Sequence, residues 1–218
     1  MKQYCIRQLP ETCAQLPLTG EFDPAVLPAP WNRLEEAALE DYPWDENGYR
    51  PPCFARVGWN SRGLHVLMYA KEAVVRRETR HFGGMVCQDS CMEFFVQCNP
   101  EKTEDYINLE SNGYPVMLIG FGPDRHHRIQ FEEPRGIAPQ ASEHRGGWWA
   151  LSYTVPADVI EQLFGVTLAS GQKMRGNFFI CGDKTEYPHY GMWNGADPAV
   201  FPKPDFHQPV NFAPMVLE

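Results

Sequence analysis

The sequence has no apolar run near the roughly 18 residues that a membrane helix needs. Its start, MKQYCIRQLPETC, has no apolar segment of the kind a secretory signal carries. The expectation is a cytoplasmic protein with no membrane partner, with secretion as the alternative for a chain cut from a longer precursor. Positive charge is scarce: 19 Lys and Arg against 28 Asp and Glu leave a net charge of -9. A general nucleic-acid binder needs a basic face, so that class is excluded. There is no G-x-S-x-G, no H-E-x-x-H, no G-x-x-x-x-G-K-[ST] and no dinucleotide fingerprint, and no N-x-[ST] acceptor for a glycan. The 7 cysteines form an odd set without a disulfide-framework pattern. Cys87 and Cys91 stand C-x₃-C apart, not at the C-x₂-C of a zinc knuckle. The cysteines therefore read as small buried hydrophobes in a reducing compartment.

What is present is the material of a folded core: 43% hydrophobic and 13% aromatic residues in a chain of 218. Proline is abundant, 20 of 218 or about 9% against about 5% in ordinary chains, which argues against a helix bundle. Residues 2–30 carry Pro10, Pro17, Pro24, Pro28 and Pro30 and read as an irregular arm or edge strand. Asn32 to Glu40 (NRLEEAALE) has helix-forming composition and predicts a helical turn near 32–40, ended before Tyr42-Pro43. Strands then follow in series. Cys53–Trp59 and Leu64–Ala70 flank a hairpin loop, Asn60-Ser61-Arg62-Gly63, with glycine available for positive φ. Met92–Val96, Tyr106–Glu110, Val116–Phe121, Trp148–Val155, Asn177–Cys181, Tyr190–Trp193 and Phe212–Leu217 complete the set. Turn signals recur about every ten residues, as in a sandwich or barrel. One short helix near 156–164 interrupts them, with Pro156 at its start and Gly165 at its stop. The fold class expected is all-β, an antiparallel β-sandwich of jelly-roll or immunoglobulin-like type. It forms one domain over 1–218, with residues 1–50 packed on it as an arm and helix.

The densest polar cluster is Gln88-Asp89-Ser90-Cys91-Met92-Glu93, feeding Phe94-Phe95-Val96. On a strand, Asp89, Cys91 and Glu93 share one face and Ser90, Met92 and Phe94 the other. The same period puts Tyr106, Asn108 and Glu110 together. If the two strands pair, Glu93, Asn108 and Glu110 converge on one patch. Carboxylates and amides there can hydrogen-bond sugar hydroxyls, hold a metal or merely form a solvated face. Trp193, Phe206 and His207 lie in or near a proline-punctuated C-terminal stretch. Such aromatics are core plugs or a stacking platform, and Phe206, between Pro204 and Pro209, is the better platform. Arg125-His126-His127-Arg128 after Gly122-Pro123-Asp124 reads as a hairpin tip, with anion binding as the second reading.

Taken in order, these segments resemble carbohydrate-binding modules of family 9. The resemblance runs from Ala55-Arg56-Val57 and Trp59 through Gln88-Asp89-Ser90-Cys91-Met92-Glu93-Phe94-Phe95-Val96 and Tyr106-Ile107-Asn108-Leu109-Glu110. It continues through Gly176-Asn177-Phe178-Phe179 to Pro204-Asp205-Phe206-His207-Gln208-Pro209. The resemblance implies a β-sandwich that holds a sugar between two aromatic rings, with polar side chains on the hydroxyls and calcium bracing the loops. Glu93 and Asn108 match ligand-contact positions, and Phe206 matches the second stacking aromatic. The first stacking position falls at Val86 or Cys87, neither aromatic, with Phe82 or His81 as nearby substitutes.

The leading expectation is non-catalytic carbohydrate binding, through Glu93, Asn108, Glu110, Phe206, Trp193 and Asp89. Glu72 and Asp183 are candidate calcium ligands. A second expectation is an O-glycosyl hydrolase with Asp89, Glu93 or Glu110 as acid and base, a chemistry that needs only two carboxyl groups about 5 to 10 Å apart. A third is a haem-binding redox sandwich, for which 8 Met and 7 His supply ligands.

Overall fold

The structure is a computed structural model and describes residues 2–144 and 147–218. In it, alternating apolar positions become strands that are buried on one or both faces. The chain begins with β1 (Tyr4–Gln8), then β2 (Ala37–Ala38), β3 (Cys53–Asn60) and β4 (Gly63–Lys71). Next come β5 (Cys91–Gln97), β6 (Tyr106–Asn112), β7 (Met117–Gly122) and β8 (Ile129–Gln130). Then follow β9 (Gln140–Ala141), β10 (Trp148–Pro156), α1 (Ala157–Phe164), β11 (Lys173–Cys181), β12 (Tyr190–Met192) and β13 (Ala213–Leu217). Pro156 is the N-cap of α1, and Gly165 closes it at φ +63° in the left-handed region. Gly63 follows the β3–β4 turn at φ +142°, with its backbone against the Val155 carbonyl where a Cβ has no room.

Hydrogen bonding orders the strands β8-β7-β6-β5-β11-β13-β1-β3-β4-β10-β9, with β12 on β11 and β2 on β3. The path curls into a sandwich. Met92, Phe94, Val96, Ile107, Leu109 and Phe178 from one half pack with Val57, Val66, Met68, Leu151 and Tyr153 from the other in one core cluster. The outer face of the second half, at Leu67, Tyr69 and Ala150, is covered by Leu9, Leu16, Leu27, Trp31 and Leu34 of the N-terminal region. The outer face of the first half carries Phe95, Tyr106, Phe179 and Phe212, and the C-terminal Phe206 packs on it.

Two local expectations are corrected. The helical turn near 32–40 is shorter than expected: a single 3₁₀ turn at Trp31–Arg33 gives way to the extended β2, paired with Phe54 and Ala55. Pairing places Ala37 and Leu39 in the core, so burial at a spacing of two overrides helix propensity. β1 is not an edge. Tyr4–Ile6 pair in parallel with Met215–Leu217, and Arg7–Gln8 pair in parallel with Gly58–Trp59, so β1 joins the two halves.

The joint is pinned by the fully buried Tyr4. Its hydroxyl accepts from the Val57 N–H at 2.8 Å and donates to the Glu35 carbonyl at 2.6 Å. Tyr4→Phe leaves a buried N–H and a carbonyl unpaired, and we predict a loss of about 1–3 kcal/mol in urea unfolding. A loss within error of zero would mean that the hydroxyl does not hold the joint.

Candidate functional site

The covered outer face of the first half opens into a cavity of about 440 Å³. Its floor follows from the strand register. Glu93 of β5 lies directly opposite Glu110 of β6, and Glu110 lies opposite Leu118 of β7. On the other side of β5, Cys91 is opposite Cys181 and Glu93 is opposite Phe179 of β11. The period of two that sends Met92, Phe94 and Val96 into the core therefore sends Cys91 and Glu93 to the cavity side. The wall formed by Met85 and Cys87 comes from the 3₁₀ turn at Val86–Gln88. That turn is tied to the end of β11: the Asp183 and Lys184 N–H groups donate to the Cys87 and Gln88 carbonyls.

The opposite wall is a clasp between a turn and the C-terminal stretch. Asp124 Oδ1 accepts from the His126 and His127 N–H groups at 2.7 and 2.9 Å, closing the β7–β8 turn. Arg125 forks onto Asp205 Oδ1, Nε at 3.1 Å and Nη2 at 2.9 Å. Asp205 also accepts from the His207 N–H and from Gln208 Nε2. Although burial opposes ionisation, the Gln208 and Arg125 contacts hold the Asp205 carboxyl below its ordinary value. Arg128 reaches inward, with Nη1 3.6 Å from Glu110 Oε1 and 2.9 Å from His207 Nε2. Burial, with Arg128 and Arg125 beside it, pushes His207 down to about 3. The neutral ring then accepts from Arg128 at Nε2, while Nδ1 lies 2.8 Å from the Tyr106 hydroxyl.

The floor is electrostatically tense. Burial and the Glu110 carboxyl push Glu93 well above the carboxylate range. Burial pushes Glu110 up to about 7, with Arg128 and Arg125 pulling it back. Asn108 Nδ2 donates to Glu110 Oε1 at 3.0 Å.

Of the residues singled out in the sequence, Glu93, Glu110, Phe206 and the exposed Asp183 line the cavity. Asn108 lies fully buried beside Glu110 and orients it rather than lining the cavity. Phe206 is 8% exposed, and one face is stacked on Phe179 at 4.3 Å. Tyr190, nearly perpendicular at 6.4 Å, shares that wall. Two candidates stand elsewhere. Trp193 packs edge-on against Tyr4 and Phe178 in the core. Asp89 is not on the strand but caps the 3₁₀ turn, accepting from the Glu78 and Thr79 N–H groups and from Asn112.

Of the two calcium candidates, Asp183 lies at the cavity and Glu72 in the interior. Glu72 is buried, and its two oxygens accept from Ser90 Oγ at 2.7 Å and Trp149 Nε1 at 3.0 Å. Calcium takes six to eight oxygens, and both Glu72 oxygens already have a donor. Among the described residues, the one tight cluster of three metal-ligating side chains is Cys91, Glu93 and Cys181, and neither Glu72 nor Asp183 belongs to it. The sequence reading did not single out Arg128, Cys181, Asp205 or Tyr190 as site residues. For Arg128 the Arg125–Arg128 run was the signal, and a turn has no period by which to tell which side chains face inward.

The sequence model of carbohydrate-binding family 9 matches residues 23–217. A search of curated proteins found no match. Among solved structures, a Bacteroides uniformis protein described as carbohydrate-binding is similar at TM-score 0.79 and 24% identity. The alignment covers 100% of this chain and 99% of that one. A family 9 module from Caldicellulosiruptor kristjanssonii, solved with cellotriose and with glucose, is similar at TM-score 0.66 and 12% identity. The cellotriose complex covers 100% of this chain and 94% of that one. No helix among the described residues is long and apolar enough to cross a membrane.

Glu72 gives a pH signature separate from the cavity. Burial raises its carboxyl from 4.5 to about 7, despite donors from Ser90 and Trp149, and the neighbouring His189 is held below its ordinary value by burial. The unfolded chain releases this proton first, so the contribution of Glu72 is complete below about pH 4.5 and is lost as pH rises through 7. We predict that Glu72→Gln removes about 2–3 kcal/mol of the pH dependence of unfolding between pH 5 and 8. Parallel profiles for the two proteins would contradict this.

Proposed function

The chain belongs to carbohydrate-binding family 9, and on that premise we propose that it is a non-catalytic module that binds a mono- or oligosaccharide, or a glycan end, in the cavity. One observation carries the reading: two buried carboxyls in register share an open cavity with an aromatic wall. A sugar matches both halves of that surface. Its hydroxyls donate to Glu93 and Glu110, and its apolar C–H face lies against Phe206 and Tyr190. Asn108 and Arg128 fix Glu110, and Arg125, Lys203 and Asp183 supply further polar contacts at the rim. The sugars held by the Caldicellulosiruptor module support this reading for the fold.

The same carboxyl pair bears on hydrolysis. Glu93 and Glu110 are cross-strand neighbours whose Cβ atoms stand about 4.5–5.5 Å apart. They project from one face of the sheet into the cavity.

We predict that cellotriose binding, read by calorimetry, weakens at least tenfold in Phe206→Ala, measured below the lowered melting temperature that loss of a buried ring brings, with circular dichroism confirming the fold. Unchanged affinity would remove Phe206 from the site. Failure of the wild-type protein to bind any sugar on a glycan array would overturn the reading itself. Release from an aryl-glycoside panel that disappears in Glu93→Gln would replace it with an enzymatic one.

A further inference from the structure

We propose that Cys91, Glu93 and Cys181 form a site for a soft divalent metal ion, with Zn²⁺ as its type, in the floor of the cavity. The proposal goes beyond sugar binding: it shares Glu93 with that reading but does not depend on it. The register creates the site. Cys91 and Cys181 are directly paired across β5 and β11, and Glu93 stands two residues along β5 on the same face. The two Sγ atoms and a Glu93 oxygen all lie within 4.8 Å of one another. Glu93 Oε1 is 3.1 Å from Cys181 Sγ and 3.9 Å from Cys91 Sγ. A tetrahedral zinc ion with bonds of about 2.3 Å to sulfur and 2.0–2.2 Å to oxygen separates its ligands by about 3.6–3.8 Å. The observed spacings bracket that value.

A second observation concerns the partners of Glu93. Glu93 is 3% exposed, yet the partners its carboxyl finds are two thiols, which are weak donors. The guanidinium of Arg128, which acts on Glu93 electrostatically, is engaged with Glu110 and His207. Ionised Glu93, without an N–H donor or a cation, is costly in that setting, and the neighbouring Glu110 adds to that cost. A divalent ion removes it.

The donor set selects the ion. Two thiolates with one carboxylate suit zinc and disfavour calcium or magnesium, which take oxygen. On binding, the two thiol protons leave to solvent, together with the Glu93 proton where it is carried, and no electron is transferred. Glu93 and Cys181 line the cavity, whereas Cys91 is fully buried. The remaining coordination position therefore faces the cavity, where water or a ligand oxygen completes the shell.

The test is a Co²⁺ titration of the full chain, purified under reductant, stripped with chelator and kept anaerobic. We expect thiolate-to-cobalt absorption that saturates at one ion per chain and disappears on adding Zn²⁺. Cys181→Ser should lose the band, Glu93→Gln should bind at least tenfold more weakly, and Cys13→Ser should behave as wild type, with circular dichroism confirming each fold. If Cys181→Ser does not fold, the wild-type band together with Glu93→Gln decides. A folded wild-type protein without thiolate-to-cobalt absorption overturns the site. So does a Cys91–Cys181 disulfide found by mass in protein prepared under reductant. Sugar titration of the stripped protein is a separate measurement, so a failed metal site and a failed sugar site are distinguishable.

Discussion

Glu93 and Glu110 stand side by side on a covered sheet face, and two carboxyl groups taken out of water in adjacent positions repel one another and lose hydration together. What surrounds them compensates for that cost. Asn108 donates to Glu110, Arg128 stands over it, and the thiols of Cys91 and Cys181 turn toward Glu93. Arg128 reaches its place because Asp124 closes its turn and because the adjoining Arg125 is clasped by Asp205. Asp205 in turn anchors the stretch that carries Phe206 and His207. A local constraint between two strands thus fixes a turn and a distant C-terminal segment, and the cavity is the space left between them.

The sandwich supplies the rigidity this requires. β5 and β6 are buried along their whole length, with the core on one side and the aromatic layer of Phe95, Tyr106 and Phe212 on the other. β1 closes the two halves by pairing in parallel with both β13 and β3, an uncommon arrangement in an otherwise largely antiparallel fold. The proline-rich N-terminal region covers the outer face of the second half, and the proline-bound C-terminal stretch roofs the site. Proline suits both, since neither is a central strand and each must hold a fixed path without a ladder of its own.

Much of this was legible in the sequence where period and burial agree. The alternation in Cys53–Trp59 and Met92–Val96, and the Pro156 to Gly165 helix frame, give β3, β5 and α1 directly. Glu93 and Glu110 were legible because a charge inside an apolar alternation needs a reason. Other features depend on partners remote in sequence. Leu34-Glu35-Glu36-Ala37-Ala38-Leu39 has helical composition but is extended because Phe54 and Ala55 take it into a ladder. β1 lies hidden in a proline-rich region, since its pairing with Met215–Leu217 spans nearly the whole chain. Cys91 and Cys181 each read as a small hydrophobe, and only the register makes them a pair. Trp193 showed the reverse problem: its type suggested a binding ring, and packing against Tyr4 and Phe178 makes it core.

The central claim is that the carboxyl pair and the aromatic wall bind one ligand together. A crystal structure of the protein soaked with a neutral oligosaccharide tests it most directly. The account predicts a sugar ring against Phe206, with its hydroxyls within hydrogen-bond distance of Glu93 and Glu110. A sugar bound on another face, with this cavity holding only water, would contradict it.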